Sequence, residues 1–191
     1  AVLLSACSSP KHEPMPLVKF TPSMEVTEVW SKGLSSAEGF LVPAVYDDMV
    51  FAAGGKTLTR LNARTGETEW SVSFNSPITG GVGSDGYVTA VGLWDGNLEV
   101  VDAEGKVSWE KKLTTELASP PVVSHGLVIA RTMDTRVSAF EASSGELQWT
   151  YQRSQPALTV RLPTRMLAHD NFLLVGQPNG HIVILDIASG K

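Results

Sequence analysis

The side chains best suited to metal or acid–base chemistry in this sequence are its histidines, and their spacing argues against a site. The four histidines are His12, His125, His169 and His181. No two of them have the close paired spacing of a zinc site. The last three lie at or beside turn signals, where a solvated histidine is expected. The sequence therefore predicts no metal site.

Catalytic and cofactor-binding motifs are equally weak. The acidic residues Asp85, Asp95 and Asp134 stand in turn signals, where aspartate is favoured because it bonds to its local backbone. The glycine-rich stretch 80–83 is not followed by a helical pattern, so we expect it to let strands approach closely. The residues thus favour a binding protein without a cofactor over an enzyme.

Composition excludes several other classes of protein. The 191 residues carry a formal net charge of -5, which does not suit nucleic-acid binding, because that requires a basic face. No uninterrupted apolar run approaches the ~18 residues of a membrane-spanning helix. With 17 glycines and 11 prolines, the composition suits a turn-rich all-β protein.

The elements that would position any binding residues are set by an internal repeat. Its tryptophans are Trp30, Trp70, Trp109 and Trp149, which are 40, 39 and 40 residues apart. A glycine precedes each of the last three by four residues, and a fourth copy of this phrase ends before a tryptophan. These glycines are Gly66, Gly105, Gly145 and Gly190. We expect each glycine to take the positive φ of a hairpin turn.

Two further turn signals divide each repeat into short apolar runs. The first signals are at 47–48, 85–86, 125–126 and 170–171, and the second at 54–55, 95–96, 134–135 and 179–180. The runs between them are 49–53, 87–91, 127–130 and 172–175. Three turns per repeat predict four short antiparallel strands, and a repeated unit of this size is typical of a propeller blade. The sequence thus predicts an all-β propeller of four-stranded antiparallel blades over residues 25–191, with about four repeats present. Because a ring needs about four to eight complete blades, we expect the protein to continue beyond Lys191.

The repeated tryptophans are expected to fill the gaps between adjacent blades. A four-stranded sheet cannot bury both faces alone, so blades stack around an axis and a large ring closes each junction. A stacking platform for a carbohydrate or a base is the alternative. Regular spacing after a glycine turn favours the packing role.

The first residues resemble the end of a bacterial lipoprotein signal. Residues 1–6 are apolar and then small, Leu4-Ser5-Ala6-Cys7 fits a lipobox, and residues 7–24 begin as a polar, proline-containing tether. We expect Cys7 to be lipidated and to hold the protein at a membrane surface. The alternative is a buried or incidental cysteine. As the chain has a single cysteine, no intramolecular disulfide is possible.

One connection between repeats is longer than the others. From each tryptophan to the first turn of the next repeat there are 17, 15, 16 and 21 residues, and the longest connection follows Trp149. Insertions in repeat proteins go to loops, often on the binding face. This one carries Leu158, Val160 and Arg161, which together make a plausible hot spot for a protein partner. An ordinary inner strand whose apolar side is core is the alternative.

The repeated phrase has an alanine, then a glycine, and then a tryptophan four residues after the glycine. This phrase resembles the repeat of the quinoprotein-type propellers. Two families share it: the pyrroloquinoline-quinone dehydrogenases and the BamB lipoproteins of the outer-membrane β-barrel assembly machine. The lipobox, the tether and the long connection favour the BamB family. The resemblance covers essentially the whole chain and about half of that family's eight-bladed propeller.

The resemblance also implies a partner and a site. In BamB proteins a Leu-x-Leu-Arg segment at this place binds the POTRA domains of BamA. Leu158 and Arg161 match it and Val160 replaces the second leucine, whereas Leu162 and Pro163 depart from the glycine that follows in the family. The implied protein is a scaffold on the periplasmic face of the outer membrane. Ser8, which follows the cysteine, fits the sorting of a lipoprotein to the outer membrane. Further implied partners are the other assembly-machine components and nascent outer-membrane β-barrel proteins.

Two alternatives remain open from the sequence. One is a fragment of a quinone-dependent dehydrogenase, although that family carries adjacent cysteines and this chain has none. The other is a generic periplasmic propeller that binds a different partner.

Overall fold

The computed structural model describes residues 15–35, 41–153 and 164–191, and its strands form four consecutive antiparallel sheets. The first sheet contains β1 (Ala44–Tyr46), β2 (Met49–Gly54), β3 (Thr57–Asn62) and β4 (Thr68–Ser73). The second contains β5 (Ile78–Ser84), β6 (Thr89–Leu93), β7 (Asn97–Val101) and β8 (Val107–Lys112). The third contains β9 (Val122–Ser124), β10 (Leu127–Arg131), β11 (Val137–Glu141) and β12 (Leu147–Tyr151), and the fourth β13 (Leu167–His169), β14 (Phe172–Gly176) and β15 (Ile182–Asp186). In each sheet the strands pair in chain order.

The turns between strands lie where the repeat predicts them. Gly66, Gly105, Gly145 and Gly190 all have positive φ, at 72°, 80°, 71° and 70°. The earlier turns use positive φ as well, for example at His125 and Gly126. The predicted strand ends shift by one or two residues, and one strand also starts later than predicted, because β6 begins at Thr89 and not at Tyr87. The Asp85 carboxylate accepts hydrogen bonds from the Tyr87 and Val88 amides. These bonds hold both residues in the turn, so the strand starts after them.

The core lies between the sheets. Phe51, Leu58, Val91 and other apolar residues pack the first sheet against the second, and equivalent clusters join the second to the third and the third to the fourth. Consecutive residues of β10 pack against different sheets: Val128 packs against the second sheet and Ile129 against the fourth. The first three sheets have four strands and the fourth has three in the described residues. Stacked antiparallel sheets of this size are the blades of a propeller, so the predicted fold class is confirmed.

The first strands of successive sheets lie side by side, with β5 against β1 and β9 against both β5 and β13. The glycine-rich stretch allows this close approach. A Cβ placed on Gly83 would lie 2.0 Å from the Pro121 carbonyl oxygen, and one on Gly80 would lie 2.8 Å from the Leu117 Cβ. The predicted role of this stretch in close strand packing is therefore confirmed.

Candidate functional site

Trp70, Trp109 and Trp149 each join one blade to the next, and Trp30 joins the segment before β1 to the first blade. The Trp70 ring lies against Gly105, where an added Cβ would be 2.7 Å from Cδ2, and its Nε1 donates a hydrogen bond to the Ala103 carbonyl at 2.9 Å. Trp30, Trp109 and Trp149 repeat both contacts on Gly66, Gly145 and Gly190. The tryptophans therefore serve as packing between blades, as the sequence predicts, and do not present their rings as a free binding platform.

The hydrogen bonds of the tryptophans also locate the extra residues of the long connection. In the first three junctions the indole and its carbonyl acceptor are 33 residues apart, whereas Trp149 and its acceptor Ile187 are 38 apart. The junction geometry is unchanged, so the five additional residues belong to the connection after Trp149.

The residues that the sequence singles out for partner binding and lipidation lie outside the described part of the chain. These are Leu158, Val160, Arg161 and Cys7. The connection that carries the first three is bounded by Arg153 and Thr164. Its roles as a binding loop or an inner strand, and the lipidation of Cys7, remain predictions.

A buried cation lies next to the end of this connection. Arg131 is 3% exposed, and its guanidinium Nη1 donates to the Thr164 hydroxyl at 2.6 Å. Its Nε has no hydrogen-bond partner among the described residues, and burial lowers the pKa of the guanidinium. A buried arginine with a single neutral hydrogen bond among the described residues is costly. The junction beside Thr164 therefore includes a buried charged group.

A cross-strand polar pair recurs on one face of the first three blades. Thr59 and Ser71 pair at 3.1 Å in the first, and Ser138 and Thr150 at 3.3 Å in the third. The second blade has Glu99 on β7 directly opposite Glu110 on β8. Burial, and then the Glu110 and Asp95 carboxylates, raise the pKa of Glu99 to about 7. Two carboxylates thus occupy a position that the neighbouring blades give to hydroxyls.

We expect Glu99→Gln to stabilise the protein at alkaline pH. A raised folded-state pKa means that ionised Glu99 destabilises the fold, so its penalty is absent below about pH 4.5 and grows until the pH exceeds about 7. At ~1.4 kcal/mol per pKa unit, and allowing for solvent screening, the variant should gain about 2 kcal/mol at pH 8. Urea unfolding at pH 5 and pH 8 measures this effect. A gain of equal size at both pH values would contradict it.

The residues suited to enzyme chemistry are dispersed. His125, His169 and His181 are exposed, as predicted, and no group of three histidine, cysteine or acidic residues could hold a metal ion within the described ranges. Gly81, Gly83 and Gly86 have the spacing of a dinucleotide-binding loop, but they lie in β5 and the hairpin to β6, with no helix behind them. The described residues contain no helix long and apolar enough to cross a membrane.

Grooves between neighbouring blades are features that the sequence did not reveal. One, of about 220 Å³, lies between the second and third blades and is lined by Lys111, Leu113 and Arg136 among others. A corresponding groove beside the first blade includes Lys32, Leu34 and Thr59. On the inner side, a cavity of about 230 Å³ is lined by the first strands of the first three sheets and by Arg165 and Met166, which precede β13. The sequence carried no signal for these grooves, because their linings come from separate repeats.

Comparison with known proteins identifies relatives for this arrangement. The family described as outer membrane protein assembly factor BamB matches residues 27–77 and 54–191. The BamB of Burkholderia pseudomallei is 36% identical over 100% of this chain and 51% of its own length. The chain therefore spans about half the length of the curated relatives that it matches.

Solved structures agree with the fold. The crystal structure of BamB from Moraxella catarrhalis is 28% identical with a TM-score of 0.69, and the match covers 78% of this chain and 46% of that one. A quinohemoprotein alcohol dehydrogenase from Pseudomonas putida has a TM-score of 0.61, and the match covers 82% of this chain and 34% of that one. Its identity is only 17%, so it shows the shared propeller fold alone. With the family match extending over most of the blades, the chain belongs to the BamB family of outer membrane protein assembly factors.

Proposed function

We propose that this protein is a non-enzymatic scaffold in the assembly of outer-membrane β-barrel proteins. The observation that carries the proposal is the family match across residues 27–77 and 54–191. The relatives are named outer membrane protein assembly factors. Rigid blades closed by the tryptophan junctions suit a scaffold, because they hold the connecting loops in fixed positions.

The partner that we propose is the set of POTRA domains of BamA, bound through Leu158, Val160 and Arg161. Three observations support this site. The connection carrying these residues is the longest of its kind, and the blade junction after it has the same geometry as the shorter ones. An apolar anchor beside an arginine also has the composition of a protein–protein hot spot.

The location that we propose is the periplasmic face of the outer membrane, with Cys7 as the lipidated residue. The polar segment after Cys7 would tether the propeller to the lipid. Globomycin, which blocks the cleavage of lipoprotein signals, should slow the migration of the protein from a bacterial host on a denaturing gel. A Cys7→Ser control should not respond to the drug.

Calorimetric titration of purified BamA POTRA domains into the full-length protein tests the proposed site. The Leu158→Ala, Arg161→Ala double variant should bind at least about thirtyfold more weakly, because truncating hot-spot residues costs about 2 kcal/mol or more. A Tyr87→Ala, Arg64→Ala control, which removes two exposed side chains elsewhere on the propeller, should retain the wild-type affinity. Circular dichroism confirms that each variant is folded.

Each outcome of the titration decides a separate point. Loss of binding in the double variant alone supports both the scaffold and the loop. Equal binding by all three proteins keeps the partner and rejects Leu158 and Arg161 as its site. Failure of the wild type to bind overturns the proposed partner. In that case, dye reduction with added quinone, calcium and an alcohol would test for dehydrogenase activity.

A further inference from the structure

The groove between the second and third blades has an apolar floor and a basic edge. Leu113 and Phe140 form part of the floor, and Leu147, which is 54% exposed, extends it. Lys111 and Arg136 line the same groove. An open groove of about 220 Å³ with an apolar floor and a basic edge can hold an apolar side chain and a negatively charged group next to it.

This groove exists because a smaller residue occupies a position that an aromatic ring fills at the preceding junction. Phe74 and Leu113 each follow a repeated tryptophan by four residues, and each donates its amide to a carbonyl of the nearby hairpin, at 2.9 and 3.0 Å. Phe74 is 8% exposed and belongs to the core between the first two blades. Leu113 is only half-buried and leaves the equivalent space open.

The basic groups at the edge are incompletely neutralised within the described residues. The buried Nε of Arg136 has no hydrogen-bond partner there, and the nearest carboxylate oxygen, on Asp134, is 3.8 Å away. That carboxylate already accepts hydrogen bonds from the Thr132 and Thr114 hydroxyls, at 2.5 and 3.0 Å. The Arg136 side chain is nevertheless 36% exposed, so a second carboxylate can approach its guanidinium and the positive charge of the exposed Lys111.

We propose that this groove binds an extended peptide segment of a partner protein in which an apolar side chain stands next to a carboxylate. The apolar side chain occupies the space over Leu113 and Phe140, and the carboxylate pairs with Arg136 and Lys111. The hydroxyls of Ser138 and Thr150, which line the groove, can bond to the peptide backbone. The site lies apart from the long connection and does not depend on the proposed function.

The preceding junction, between the first and second blades, lacks the features that this ligand needs. There Phe74 fills the space, and the polar pair consists of Glu99 and Glu110 instead of hydroxyls. A second carboxylate would be repelled at that junction. The two junctions share the same blade geometry. They differ in the ring that fills the space and in the charge of the polar pair, and these are the two features that decide whether the ligand can bind.

Fluorescence anisotropy with a labelled octapeptide containing one phenylalanine followed by two glutamates tests the proposal on the full-length protein. Leu113→Phe, which fills the space, and the Lys111→Glu, Arg136→Gln double variant should each weaken binding at least about tenfold. Lys32→Glu, in the corresponding groove beside the first blade, should leave the affinity within about twofold. Replacing the two glutamates by lysines in the peptide should also abolish binding.

Thermal unfolding of each variant separates loss of the site from loss of the fold, and Leu113→Phe keeps every charge in place. No saturable binding by the wild type at millimolar peptide would overturn the proposal. So would equal weakening by Lys32→Glu, which would show attraction to general surface charge, or undiminished binding by both groove variants when folded.

Discussion

Trp109→Ala should lower the free energy of unfolding by about 3–5 kcal/mol, the usual cost of removing a large aromatic side chain from a packed interior. The ring lies against Gly145 and 6.1 Å from the Phe140 ring, and its Nε1 donates to the Ala142 carbonyl at 2.8 Å. Removing it opens a void between the second and third blades and leaves that carbonyl without its donor. Urea unfolding followed by circular dichroism measures the loss.

Trp94→Ala is the matched control, since Trp94 is the one tryptophan outside the repeat and is 63% exposed. Its removal should change stability by no more than about 0.5 kcal/mol, as surface substitutions usually do. Trp109→Phe should fall between the two, because it keeps most of the ring area and loses the hydrogen bond. If the alanine variants at 94 and 109 were equally stable, the junctions would not depend on these tryptophans.

The sequence was sufficient to predict this junction in outline. A tryptophan every 40 residues after a glycine turn indicates one large ring per repeat, and a repeat that cannot bury its own faces must pack against its neighbours. The spacing could not predict which residues each tryptophan contacts. Trp70 contacts Gly105 and Ala103, which belong to the next copy of the phrase and not to its own. The repeat therefore predicts that junctions exist, whereas the direction of contact depends on how blades stack.

The Glu99–Glu110 pair shows a second reason why sequence reasoning stops short. Taken alone, each glutamate is a residue type expected at an exposed strand position. Nothing in the order of residues indicates that the two face one another. Their proximity depends on the register of β7 and β8, which shifts at a bulge between Val100 and Val101. A bulge inverts the faces of the residues beyond it, so alternation of apolar residues cannot identify cross-strand partners there.

The open groove between the second and third blades depends on an even smaller difference. Phe74 and Leu113 are both apolar and stand at equivalent places in the repeat. Pattern reasoning treats them alike, yet one ring fills its junction and the other side chain leaves space. Repeat identity thus defines the architecture, and departures from the repeat define the places where partners can bind.

Gly105→Ala should cost about 3 kcal/mol or more, since it combines backbone strain with a steric clash. Its φ of 80° lies in the left-handed region, where a Cβ alone costs about 1–2 kcal/mol. The new methyl would also lie 2.7 Å from Cδ2 of Trp70, a distance that the ring can relieve only by moving away from its junction. Equilibrium unfolding in urea measures the sum.

Gly126→Ala separates these two contributions. Gly126 has a φ of 72°, but a Cβ there meets no atom within 4 Å, so its variant should show only the backbone strain of about 1–2 kcal/mol. In a Trp70→Ala background the clash partner is gone, and Gly105→Ala should then cost no more than Gly126→Ala does. If Gly105→Ala kept its full cost in that background, the glycine would be required for its turn alone. The four-residue spacing to tryptophan would then reflect hairpin geometry without contact between blades.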